Sequence, residues 1–228
     1  MSFKGQDVVV VGYGFVGQHL VRRLLEQGAT VTVIDKREGL KAPCKTLNLD
    51  VRHLEKDIYC DYLFHLAGIT NYRYAEENPM ETLEANVLAT MQLLRRAKVA
   101  KRFVFTSSAA VYAPSDEPIA EDYKLEPKSV YGASKVCAET LIRQHAPNHA
   151  IARFFNLYGP GQGPSYIVPQ LIQEALATKR MKLRNTQTAR DYIYVEDALE
   201  WLENEALREG FPYSRTFNIG SGMATTTI

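Results

Sequence analysis

The chain's folding options narrow most at one place. A β-branched run, Asp7-Val8-Val9-Val10-Val11, meets three glycines, Gly12, Gly14 and Gly17, which open a segment carrying Val16, Leu20, Val21, Leu24 and Leu25 at helical spacing. Four consecutive valines show no polar alternation, so the strand they form is buried on both faces. Such a strand belongs to a sheet with helices above and below it. The helix stops at Gly28, and residues 29–34 read as a second strand that ends at Asp35. Strand, helix and strand make one βαβ unit with a right-handed crossover.

The alternation continues along the chain. Residues 62–66 read as a strand, and 80–99 as a long helix with Leu83, Val87, Met91 and Leu94 on one side. A strand at 102–106, a helix at 129–145 and a strand at 150–155 follow. This order predicts an α/β fold, a doubly wound parallel sheet of the Rossmann kind. After Asn156 the turn-rich run Gly159-Pro160-Gly161-Gln162-Gly163-Pro164 predicts elements that leave the main sheet.

A sheet of this kind binds ligands at the carboxyl ends of its strands. Gly12 allows the tight turn, Gly14 lets backbone approach a phosphate, and Gly17 lets the helix pack close to the strand. The helix start, at Phe15 and Val16, then aims unpaired N–H groups at an anion. Asp35, 18 residues after Gly17, has the position of a ribose 2′-hydroxyl acceptor. Residues 1–156 are therefore expected to bind a dinucleotide and 157–228 to bind substrate, interleaved with the last sheet elements. A carboxylate repels a 2′-phosphate, so Asp35 favours NAD. Lys36 and Arg37 come next, and either could pair with a 2′-phosphate, which keeps NADP open.

Tyr131 and Lys135 lie four residues apart in a predicted helix and share a face. A free phenol, with a pKa of about 10, is a poor base at neutral pH. A nearby ammonium favours the phenolate, and this is what removal of a hydroxyl proton during hydride transfer requires. Thr106-Ser107-Ser108 ends the preceding strand, where a hydroxyl faces the crevice and can hydrogen-bond a substrate oxygen.

Composition limits the partners. Lys and Arg number 27 and Asp and Glu 26, a net charge of +1, which gives no reason to expect nucleic acid or an anionic membrane. Cys44, Cys60 and Cys137 have no metal-binding spacing, and a sparse odd count fits a reducing cytoplasm. No apolar run is long enough to span a bilayer.

The ordered motifs are specific. Val11-Gly12-Tyr13-Gly14-Phe15-Val16-Gly17, Phe64-His65-Leu66-Ala67-Gly68, Thr106-Ser107-Ser108-Ala109-Ala110-Val111-Tyr112, Tyr131-Gly132-Ala133-Ser134-Lys135, Arg153-Phe154-Phe155-Asn156 and Arg190-Asp191-Tyr192 occur in that order. In this the chain resembles the extended short-chain dehydrogenase/reductases, the NAD-dependent epimerase/dehydratase family, and is closest in pattern to nucleotide-sugar 4-epimerases. The resemblance implies Tyr131 as acid/base, Lys135 as its partner and Ser108 as the active-site hydroxyl. It places Asp50 and Val51 beside the adenine, and Leu66, Ala67, Gly68 and Asn86 beside the cofactor. Asn156 and Arg190 match positions near a nucleotide-sugar diphosphate. It also implies a homodimer, paired through the helix that bears Tyr131 and the long helix before it, with Cys137, Ala138 and Leu141 on that surface.

The family's sugar dehydratases carry an acidic pair where this chain has Ala109 and Ala110, so the resemblance points to epimerisation. A ketoreductase or dehydrogenase of a nucleotide sugar or another alcohol would use the same residues. A module that senses dinucleotide without catalysis stays open as well. The chain departs from the pattern at Val11, where the family has glycine. Thr225-Thr226-Thr227-Ile228 reads as the start of another helix, so the substrate-binding part is expected to be small and incomplete.

Overall fold

The computed structural model describes residues 2–179, 189–210 and 212–226. The valine run forms β1 (Asp7–Val11), and α1 (Phe15–Glu26) follows the glycine turn. Next come β2 (Thr30–Asp35), β3 (Lys45–Asn48) and β4 (Ile58–His65). After the short helices α2 (Tyr72–Glu77) and α3 (Pro79–Leu83), α4 (Ala89–Arg96) leads into β5 (Ala97–Ser108). Helix α5 (Val130–His145) and strand β6 (His149–Phe154) complete the regular alternation.

The chain then leaves the sheet and returns to it. Strand β7 (Asn156–Tyr158) and helix α6 (Ile167–Thr178) stand apart, and β8 (Arg190–Tyr194) pairs with β7 in parallel. Helix α7 (Val195–Leu207) and strand β9 (Ser214–Ile219) rejoin the main body, and β10 (Ala224–Thr225) ends the described chain. The main sheet has the order β3-β2-β1-β4-β5-β6-β9, every pair parallel. The doubly wound fold read from the sequence is the fold observed.

Each face of the sheet carries its own core. Val8, Val10, Leu20 and Leu24 pack with Val195, Leu199 and Leu202 under α1 and α7. Val9, Val11, Leu93, Ala138 and Ile142 fill the face under α4 and α5. Successive valines of β1 therefore serve opposite cores, which is why the run shows no polar alternation.

Three expectations change. The helix read over 80–99 is not continuous: it turns through one π segment at Glu84–Leu88 and stops at Arg96, where β5 begins. Its buried side carries Thr82, Asn86, Thr90 and Leu93, whereas Leu83 is exposed and Val87, Met91 and Leu94 are half-buried. Ala138 is fully buried in the core, so only Cys137 and Leu141 of the three named surface residues reach that surface. Ala224 and Thr225 are not helical; they pair antiparallel with Asp191 and Arg190, and Thr227 and Ile228 lie outside the described residues.

Candidate active site

The carboxyl ends of β1, β4, β5 and β6 open into a crevice of about 1440 Å³ that the β7–β8 excursion walls from the far side. At its floor the glycine turn is geometrically fixed. Gly12 has φ +97°, and a Cβ there would lie 2.7 Å from the Ala67 nitrogen. A Cβ on Gly17 would lie 2.1 Å from the Gly12 carbonyl oxygen, so only hydrogen lets α1 start this close to β1. Gly14 faces open space. No side chain caps the start of α1 and no acid sits in its first turn. The N–H groups there are left for an anion, which suits a pyrophosphate. Gly12, Gly14, Phe15, Val16, Gly17, Leu66 and Gly68 all line this crevice.

Asp35 ends β2 where the sequence placed it. Its carboxylate accepts the Tyr13 N–H at 2.8 Å and two bonds from the Arg37 guanidinium, both at 2.9 Å. Burial alone would raise its pKa, but the bonds from Arg37 and Tyr13 outweigh burial and hold it below the usual carboxylate range. Of the two neighbouring cations, Arg37 makes the contact and Lys36 is exposed. Asp50 caps the turn that follows β3 and pairs with Arg52 at 2.7 Å, while the Val51 side chain is buried in the α4-side core. Both stand beside the end of β3 and away from the crevice lining.

The candidate reacting groups lie on the opposite wall. Ser129 caps α5, accepting the Gly132 N–H at 3.0 Å, and the first turns carry Tyr131 and Lys135 on one face. Gly132 packs against the 109–110 turn so tightly that a Cβ would meet the Ala110 carbonyl at 2.3 Å. That contact sets α5 beside Ser108, whose hydroxyl accepts the Ala110 N–H at 3.2 Å. Tyr131, Lys135 and Ser108 all line the crevice, as do Ala109 and Ala110. Burial pushes the Tyr131 phenol up, and the Ser108 hydroxyl beside it works the other way. Burial lowers Lys135 to about 8, opposed by Glu139. The Lys135 ammonium donates to the Thr106 carbonyl at 2.9 Å and sits 4.6 Å from the centre of the Phe105 ring.

Asn86 does not face the crevice. Its side chain accepts the Ile69 N–H at 2.7 Å and donates to the Ile69 carbonyl at 3.0 Å and the Ser134 hydroxyl at 2.8 Å. It ties the Gly68–Ile69 turn, whose Gly68 lines the crevice, to α5. Ala67 likewise packs beneath Gly12 and does not line the crevice. Asn156 and Arg190 do line it: the Asn156 amide donates to the Asp191 carbonyl at 3.0 Å, and the exposed Arg190 guanidinium donates to the adjacent Ala189 carbonyl at 2.8 Å. Asp191 gathers the Ser221 and Gly222 N–H groups at 2.7 and 2.9 Å.

Sequence reading missed an aromatic wall around Tyr131. Tyr72 stacks edge-on to it at 5.3 Å, and the Tyr166 hydroxyl lies 3.2 Å from Thr70 Oγ1. The signal was the position of Thr70 and Tyr72, just past the end of β4.

Comparison with known proteins agrees with this geometry. The chain matches the NAD dependent epimerase/dehydratase family over residues 8–220. It is 32% identical to UDP-glucuronic acid decarboxylase 2 of Arabidopsis thaliana over 96% of the chain, and it spans 54% of that protein's length. It is 30% identical to UDP-glucose 4-epimerase 4 of Oryza sativa subsp. japonica, with 97% of the chain and 73% of the relative covered. Its fold superposes with TM-score 0.88 on MoeE5 in complex with UDP-glucuronic acid and NAD, at 32% identity, covering 96% of this chain and 78% of that one.

Proposed function

The chain belongs to the NAD dependent epimerase/dehydratase family, and on that premise we propose that it inverts a sugar carbon of a nucleotide sugar by transient oxidation, with Tyr131 as the acid–base group. One observation carries this reading: Tyr131, Lys135 and Ser108 meet on one wall of the crevice while the adjacent positions are Ala109 and Ala110. Dehydration needs further side chains for proton transfer, and two alanines supply none.

NAD is the cofactor the cradle suits, because the glycine turn and uncapped α1 start accept a pyrophosphate and Asp35 disfavours a 2′-phosphate. When bound, it supplies the hydride acceptor and returns the hydride. The protein's share is proton handling and orientation. Ser108 hydrogen-bonds the reacting oxygen, and Tyr131 takes its proton and gives it back. Lys135 supports the phenolate and offers its free N–H groups to ribose hydroxyls. Asn156 and Arg190, across the crevice, are placed for the diphosphate of the substrate.

The working unit in this reading is a homodimer paired through α5 and through α4 with the π segment before it, where Leu88 is exposed and Val87, Met91 and Leu141 are only half-buried. Three free cysteines suit a reducing, cytoplasmic setting, and no helix among the described residues is long and apolar enough to cross a membrane.

The test is NMR product analysis with UDP-, dTDP- and GDP-sugars and added NAD, with nicotinamide absorbance followed in parallel. A new sugar epimer without net NADH is the expected outcome. Net cofactor oxidation or reduction would replace the epimerase with a reductase or dehydrogenase. Dinucleotide binding without turnover of any sugar would refute the catalytic reading.

A further inference from the structure

Directly behind Lys135, one turn further along α5, stands a carboxylate for which the reaction above has no use. Glu139 is fully buried, and all its acceptor capacity is taken. Oε1 accepts from the Ser107 hydroxyl at 2.6 Å and Arg153 Nε at 2.9 Å. Oε2 accepts from Arg153 Nη2 and Arg143 Nη2, each at 2.7 Å. Arg153 is 2% exposed and also donates to the Tyr112 hydroxyl at 2.7 Å and the Glu121 carbonyl at 2.9 Å. Tyr112 in turn donates to Asn218 Oδ1 at 2.7 Å. One carboxylate and one guanidinium thus join α5, the end of β5, β6, β9 and the 109–121 loop that lines the crevice.

Burying an ion pair seldom adds stability over well-packed apolar residues of the same size. Its geometric effect is larger, because each bond fixes a direction. We propose that the Glu139–Arg153 pair is a positioning element of the reaction centre: it locks α5 in rotation against β5 and β6, so that Tyr131 and Lys135 meet Ser108, and it fixes a carboxylate one turn behind the Lys135 ammonium. The Ser107 bond is the decisive link. Ser107 precedes Ser108 in β5, so successive residues of one strand are tied to the helix from its two sides, Ser107 to Glu139 behind and Ser108 beside Tyr131 in front.

The groups facing Lys135 are few. Glu139 comes from its own helix and His65 from β4, with the Phe105 ring and the Thr106 carbonyl from β5 and the Gly68 turn beside them. His65 is held neutral, and Glu139 is held ionised by the bonds from Arg153, Ser107 and Arg143, which outweigh its burial. Among the described residues, Glu139 is therefore the anion that opposes the loss of charge on Lys135.

The inference rests on Tyr131 and Lys135 being the reaction centre, and its test is independent of turnover. Lysine side chains are labelled with carbon-13, the Lys135 signal is assigned with Lys135→Met, and its titration is followed by NMR. Wild type should titrate near the lowered value of about 8. Glu139→Gln should move it down by about one unit more, the effect of losing a neighbouring opposite charge. Glu139→Gln combined with Arg153→Met leaves no guanidinium buried without its carboxylate, and carries the test if the single variant does not fold. A folded variant of either kind whose Lys135 titrates as in wild type would overturn the proposal. A shifted Lys135 in a protein that turns over no nucleotide sugar would refute the proposed reaction and leave the positioning role standing.

Discussion

The three glycines of the first turn have separable duties, and alanine substitution resolves them. At Gly17 a Cβ would sit 2.1 Å from the Gly12 carbonyl oxygen, more than an ångström inside ordinary contact, and the obstacle is backbone. Overpacking of this kind costs about 1–3 kcal/mol, and the upper end applies where backbone must move. The better helix propensity of alanine returns about 1 kcal/mol. The net loss of about 2 kcal/mol corresponds to a fall of about 4–8 °C in Tm for a chain of this size. Gly14→Ala should behave differently, because no atom lies within 4 Å of its Cβ and the residue lines the crevice. It should leave Tm unchanged yet weaken NADH about tenfold to a hundredfold, the worth of one or two charge-assisted hydrogen bonds to a pyrophosphate. Gly163→Ala, also in open space but outside the crevice, should change neither. Calorimetry gives Tm and titration of NADH fluorescence gives affinity. A Gly17→Ala protein as stable as wild type, or a Gly14→Ala protein that binds NADH as tightly, would refute the assignment.

Other outcomes follow from the same geometry. Tyr131→Phe should lower kcat by about 10²–10⁴ on a nucleotide sugar that wild type turns over, with NADH affinity retained; a kcat within a few-fold of wild type would remove Tyr131 from proton transfer. Asn86→Ala strands the Ile69 backbone groups and the Ser134 hydroxyl, at a cost of about 2–4 kcal/mol in urea denaturation, and a loss below 1 kcal/mol would contradict its tie between the Gly68–Ile69 turn and α5. His65 is buried, and desolvation with help from Lys135 lowers it from 6.5 to about 3. The unfolded chain then binds the extra proton between those values, so stability is complete above pH 6.5 and falls by up to about 1.4 kcal/mol per pH unit as pH drops toward 3. Urea melts of wild type and His65→Gln across that window should differ by this slope, because the loss due to carboxylates such as Asp35 and Glu139 is common to both.

The sheet and the shared helix face of Tyr131 and Lys135 were legible in the sequence because each rests on local chemistry: valines without alternation, glycines where a side chain cannot fit, and a Tyr and Lys one helical turn apart. What was not legible depends on contacts between distant segments. The resemblance sets Asn86 beside the cofactor, and nothing local shows the bonds to Ile69 and Ser134 that its side chain makes from the π segment at Glu84–Leu88. Helical periodicity alone put Leu83 and Val87 on the buried side, because a single extra residue in one turn cannot be seen in an apolar pattern. Residues 97–99 continue that pattern but pair with β4, and nothing local separates the two states. Glu139 and Arg153 are ordinary charged residues until the fold closes them on each other.

The late return of the chain to the main sheet limits how this protein can be divided. Strand β9 covers the edge of β6, and α7 meets α1 through Glu196 and Glu203, which bind Arg23 at 3.2 and 2.6 Å. The half that would hold the dinucleotide is thus finished by residues that come after the half that would hold the sugar. A fragment ending at Phe154 would expose a long unpaired strand edge and strip α1 of its ionic partners. Recombination between relatives therefore cannot trade the sugar-binding portion as a terminal cassette. It must exchange an internal insert, with one junction just after β6 and the other between β8 and α7, together with the β10 segment that pairs with β8 from beyond β9.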